Sequence, residues 1–151
     1  GNQGTPMRSF LPLFALAALT ATPAAALSMT SAQLGTLFCF ARLSSDMAPV
    51  LAILTPELAD LVHKHLPDGA DAATAIPWQS TPDYTDTCEA VGASGTADEP
   101  VIVLSFGFRD PSKAGYADSL VTHFIDKRLR IDDIRFGSGT DTLRKRLEAM
   151  P

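Results

Sequence analysis

Apolar residues recur at helical spacing from Thr30 to Leu66, and after Thr87 they recur at every second position, so the chain reads as helices followed by strands. Thr30-Ser31-Ala32-Gln33 has the capping-box form, with Leu34, Leu37, Phe38 and Ala41 on one face of the helix it opens. Ser45 and Asp46 offer the next cap, and Pro49 fits the first turn of a short helix reaching about Leu54. Thr55-Pro56-Glu57 restarts the pattern, which carries Leu58, Leu61, Val62 and Leu66 to the stop at Pro67-Asp68-Gly69. Residues 70–86 mix Ala, Pro, Ser and Asp and read as a loop holding Trp78 and Tyr84.

In the second half, Cys88 and Ala90 begin a strand, and the small residues of 92–99 read as a turn. Pro100 opens a strand with Ile102, Leu104, Phe106 and Phe108 on one face, and Asp110-Pro111-Ser112 ends it. Tyr116–Ile125 and Arg128–Phe136 form a hairpin through Lys127. Leu129 and Ile131 have the opposite parity to Ile134 and Phe136, which predicts a β-bulge near Asp132-Asp133. Thr140 or Asp141 begins a last helix through Leu143 and Leu147. The expected fold class is α+β, with N-terminal helices packed on a curved antiparallel sheet.

The first residues change the picture of where this domain works. Met7 and Arg8 precede an apolar run from Phe10 to Leu19, and Ala24-Ala25-Ala26 is the small-residue pattern a signal peptidase accepts. Thr20, Thr22 and Pro23 break the run short of the about 20 apolar residues a membrane span needs. Residues 7–26 are therefore expected to be a cleaved signal peptide, and residues 1–6 a vector scar or mis-called start. Residues 27–151 are expected to be one α+β domain, periplasmic or secreted, with no membrane contact after cleavage. Removing 26 residues from 151 leaves 125, and the loss of Arg8 takes the net charge from −5 to −6. So acidic a surface argues against nucleic acid as a partner.

Cys39 and Cys88 are the two cysteines, and export to an oxidising compartment predicts that they pair, buried free thiols being the alternative. No metal is expected, because His63 and His65 are two apart on a helix and point to different sides. The basic groups Lys127, Arg128 and Arg130, and Arg144, Lys145 and Arg146, read as solvated faces, the second in the last turns of the closing helix.

The order of helices, loop and meandering strands, closing on Asp118-Ser119-Leu120-Val121 and Leu129-Arg130-Ile131-Asp132-Asp133-Ile134, resembles the nuclear transport factor 2-like superfamily. That superfamily is also called ketosteroid isomerase-like or cystatin-like, and the likeness is to its small secreted bacterial members of unknown function. In those, a phrase of the form W-R-I-D-D-I commonly follows the hairpin, and Leu129 stands at its aromatic position. The resemblance spans Thr30 to about Phe136 and implies a cone-shaped fold with a pocket between sheet and helices. It implies no particular reaction.

Candidate chemistry gathers around that expected pocket. Asp118 shares a strand face with Tyr116, Leu120 and Phe124, where apolar neighbours would suit a carboxylate to acid or base work. The plainer reading is a rim residue, solvated or paired to Arg109. His123 has the opposite parity and cannot form a dyad with Asp118 on a regular strand. Trp78, Tyr84 and Tyr116 are candidates for an aromatic mouth, with core closure as their other role. Nucleotide, hydrolase and zinc-protease signatures are missing from the sequence, and no cofactor is expected. The expected function is an accessory module that binds a small apolar molecule or a protein partner through Trp78, Tyr84, Tyr116 and Asp118. The alternatives are an isomerase or hydratase using Asp118 with Tyr116 or Tyr84, and a structural homodimer.

Overall fold

A computed structural model describes residues 28–151. The expected signal peptide, and the six residues before it, lie outside the described residues. The elements run α1 (Ser31–Ser44), α2 (Ala48–Leu51), α3 (Pro56–Lys64), α4 (Ala72–Ala75), β1 (Thr87–Gly95), β2 (Pro100–Gly107), β3 (Tyr116–Ile125), β4 (Arg128–Phe136) and α5 (Leu143–Ala149). The four strands form one antiparallel meander in the order β1-β2-β3-β4, so the α+β class is as the periodicity implied.

The helix starts follow their caps. The Gln33 N–H donates to the Thr30 hydroxyl at 3.2 Å, and the Thr30 N–H donates back to Gln33 Oε1 at 3.0 Å. Ser45 ends α1 in the left-handed region, φ 55°, and the Asp46 carboxylate accepts the Ala48 N–H that opens α2. Thr55 caps α3, and its own N–H donates to the Ile131 carbonyl, so residues 53–55 cover the outer edge of β4. An uncovered edge would expose unpaired backbone groups.

Helix α1 lies across β1 and β2. A Cβ on Gly35 would stand 2.7 Å from the Ala90 Cβ and 3.0 Å from Ile102 Cγ2, so glycine lets the helix backbone close on the sheet. Leu34, Phe38, Ile102, Leu104, Phe106, Leu120, Ile131 and Ile134 pack between the helices and the inner sheet face. On the outer face Val101, Val103 and Val121 are half-buried.

Several boundaries differ from the sequence reading. The segment expected to turn from residue 92 continues β1 to Gly95, because its backbone pairs with residues 100–103, with Val91 bulged out. Phe108 falls beyond β2 and leans on Tyr116, ring centroids 6.5 Å apart. The closing helix is capped by Thr142 instead of Thr140 or Asp141, which puts Arg144 and Lys145 in its first turn, where they do not serve its C-terminal dipole. Arg144 instead pairs with Asp132 at 2.6 Å. In the β3–β4 ladder Val121 faces Asp133 and Thr122 faces Ile131, so Asp132 is the extra residue of a bulge. That bulge lets both carboxylates reach Arg144, Asp132 through its guanidinium and Asp133 through its N–H.

Cys39 and Cys88 are joined in a disulfide that ties α1 to the start of β1. A bridge across 49 residues stabilises by about 4 kcal/mol in the chain-entropy picture. Denaturant unfolding of the C39A/C88A double variant is expected to show a loss of that order. A loss under about 1 kcal/mol would mean that packing alone fixes α1 on the sheet.

Candidate functional site

Residues 70–86, between α3 and β1, are fastened by side chains at almost every turn. Asp71 caps the short helix α4 by accepting the Ala73 N–H at 3.0 Å. Trp78 is buried, and its indole N–H donates to the Ala72 carbonyl at 2.8 Å while its ring meets Phe38 edge-on. Gln79 is buried beside it, with all of its amide used: Oε1 accepts from Arg42 Nε at 2.6 Å, and Nε2 donates to the Tyr116 and Thr85 hydroxyls at 2.9 and 3.3 Å. A buried primary amide satisfied on both ends fixes its own segment in place.

Asp118 fastens the segment from the sheet side. It sits on the inner face between Leu104 of β2 and Phe136 of β4, and is 1% exposed. Its carboxylate accepts the Ser80 N–H at 2.9 Å, the Ser80 hydroxyl, and the Gly137 N–H at 3.0 Å. Burial corrects the reading of Asp118 as a solvated rim residue or a partner of Arg109, whose N–H donates instead to Asp86 at 2.7 Å. Apolar strand neighbours made Asp118 look like an isolated carboxylate, but the loop supplies its donors from 38 residues away.

Two arginines hold the same segment from outside. Arg146 of α5 donates to the Gln79 and Ser80 carbonyls, each at 3.1 Å, stacks 4.0 Å over the Phe136 ring, and pairs with Asp141 at 2.8 Å. Hydrogen bonds from Arg146 hold the exposed Asp141 carboxyl below the usual aspartate range. A lowered carboxyl pKa in the folded state contributes stability at neutral pH that is lost as the pH falls through it. Arg42 of α1 donates to Gln79 and, at 3.0 Å, to the Ala73 carbonyl.

These contacts frame a cleft of about 480 Å³ between the segment, the end of α1 and α5. Trp78 and Tyr84 line it, Tyr84 being 67% exposed, together with Arg42, Gln79, Arg146 and Met150. Of the four residues expected at a binding mouth, only Tyr84 offers exposed surface to the cleft; Trp78 borders it but is buried against Phe38, the core-closing role. Tyr116 stacks on Phe106 behind it, its hydroxyl bonded to Gln79, and Asp118 lies beneath the loop. Sequence reasoning missed Arg42, Gln79 and Arg146. Arg42 carried a signal, being the one charged residue in α1.

His123 stands apart from the cleft, with Nε2 3.7 Å from Glu99 and 3.5 Å from Asp132. Among the described residues no three His, Cys, Asp or Glu side chains converge as metal ligands would.

If Asp118 serves as a latch, Asp118→Ala leaves two backbone N–H groups without an acceptor and costs about 3 kcal/mol, with Asp118→Asn in between. Urea unfolding measures this; a variant as stable as the parent would show that the loop is held without the carboxylate.

No protein-family model, no curated protein and no solved structure matches the chain.

Proposed function

We propose that this chain is an exported accessory module that binds a small molecule in the cleft bordered by Tyr84, Pro77 and Met150. The observation that carries the reading is the cleft itself, ligand-sized at about 480 Å³ and framed by a segment whose polar groups are fastened to three other elements. A pre-formed wall costs little ordering when a ligand arrives. Periplasmic or secreted residence is supported by the leader-like residues 7–26 and by the Cys39–Cys88 bridge. A cone of the nuclear transport factor 2-like kind remains the architecture we infer, supported by helices lying on one side of a bulged antiparallel meander.

Catalysis of the isomerase or hydratase kind has less support. A general base needs an oxygen within reach of substrate, whereas the Asp118 carboxylate is covered by the loop and accepts three hydrogen bonds from it and Gly137. A second reading, a homodimer, is favoured by the half-buried Val101, Val103 and Val121 on the outer sheet face.

Native mass spectrometry of the protein after incubation with a periplasmic extract tests both. The cleft reading expects one small-molecule adduct per chain that Tyr84→Ala reduces at least about fivefold, roughly 1 kcal/mol of lost contact. An adduct insensitive to Tyr84→Ala, or none at all, would contradict it, and a doubled mass would support the dimer.

A further inference from the structure

Resting on the binding reading above, a more specific inference follows from how Arg42 is held. Arg42 enters the cleft from the last turn of α1 and makes two hydrogen bonds, to the Gln79 side-chain oxygen and the Ala73 carbonyl. Both acceptors are neutral. A guanidinium carries five N–H donors, so three remain after these two bonds, and no carboxylate lies within ion-pairing distance of Arg42 among the described residues. Asp71 and the Tyr116 hydroxyl act on it only through space, and burial pulls its pKa below the ordinary arginine value.

Other arginines of this region are treated differently. Arg144 and Arg146 each meet an aspartate, Asp132 at 2.6 Å and Asp141 at 2.8 Å. Arg144 and Arg146 also donate to backbone carbonyls, but Arg42 alone among the three is held by neutral oxygens only, which fix its plane without cancelling its charge. A half-buried cation so placed attracts an anion far more strongly than a solvated one, and a planar fork suits a carboxylate accepting two N–H bonds. The lining beyond it is mixed, with apolar surface from Pro77, Tyr84 and Met150 beside the hydroxyls of Thr74, Thr81 and Thr85. Asp83 also borders the cleft, and its exposed carboxylate disfavours a second negative charge on the ligand. The chain as a whole is acidic at −5, so attraction for an anion is a local property of this spot.

We propose that the cleft takes a small organic monocarboxylate, its head held by Arg42 and its apolar body lying on Pro77, Tyr84 and Met150.

Isothermal titration with octanoate and 3-phenylpropionate, each against its primary amide, tests the assignment. The carboxylates are expected to bind at least about tenfold tighter than the amides, the scale of one charge-assisted contact. Arg42→Gln should erase that difference, and Arg42→Lys should keep part of it. Equal binding of acid and amide, or a preference that survives Arg42→Gln, would overturn the role of Arg42 while leaving a binding cleft in place. Failure of all four probes, with the adduct of the extract experiment still sensitive to Tyr84→Ala, would overturn the carboxylate class alone. Failure of all four with no such adduct would remove the binding reading as well. Because Arg42 also braces the loop, thermal unfolding checks that Arg42→Gln is folded. Should it not be, ¹⁵N spectra of the arginine side chains in the unsubstituted protein decide. A shifted Arg42 Nε–H with octanoate but not octanamide supports the assignment, and an unmoved one overturns it.

Discussion

A carboxylate on the inner face of a sheet must find donors or cost several kcal/mol, and the donors that Asp118 finds are what shape this protein's cleft side. The central strand places it between Leu104 and Phe136, where no strand neighbour can donate. Ser80 and Gly137 come to it from different parts of the chain, one from the long connection before the sheet and one from the turn after it. The same interaction therefore satisfies a buried acceptor and fixes two irregular segments whose backbone N–H groups need partners of their own. Regular structure would have met those needs by ladder or helix; here a side chain does.

With Ser80 fixed, the residues around it fall into register with their other supports. Gln79 reaches back to Arg42 and forward to Tyr116, Arg146 caps the Gln79 and Ser80 carbonyls, and Trp78 turns inward onto Phe38. The disulfide brings α1, and hence Arg42, to the strand that the connection leads into. What is left on the outer side is a cleft lined by the fixed Arg42 cation and by the exposed ring of Tyr84. In the binding we propose, rigidity and recognition share the same contacts, because the groups that orient Arg42 are also those that hold the wall.

Local signals in the sequence were sufficient wherever structure is made by neighbours. The Thr30–Gln33 box, the Thr55-Pro56 start, the strand alternation and the parity break at Asp132 all depend on residues a few positions apart, and each has its counterpart in the fold. Signals failed where the deciding partner is distant. Residues 92–95 are small and turn-like by composition, yet they are strand because residues 100–103 pair with them. Helix α4 hides in an Ala-rich connection too short to show periodicity. Trp78 and Tyr84 could be nominated for the cleft from their chemistry alone, but the partners of Asp118 and the part of Gln79 could not, since neither has a local pattern.

Hydrogen exchange at the Ser80 and Gly137 amides tests the central constraint most directly. Both flank irregular segments, and exposed loop amides exchange at nearly free rates. If their common carboxylate acceptor holds the region together, these two amides exchange slowly, near the rate set by global unfolding, alongside those of β3. Exchange at the rate of the exposed turn at residues 110–113 would contradict it.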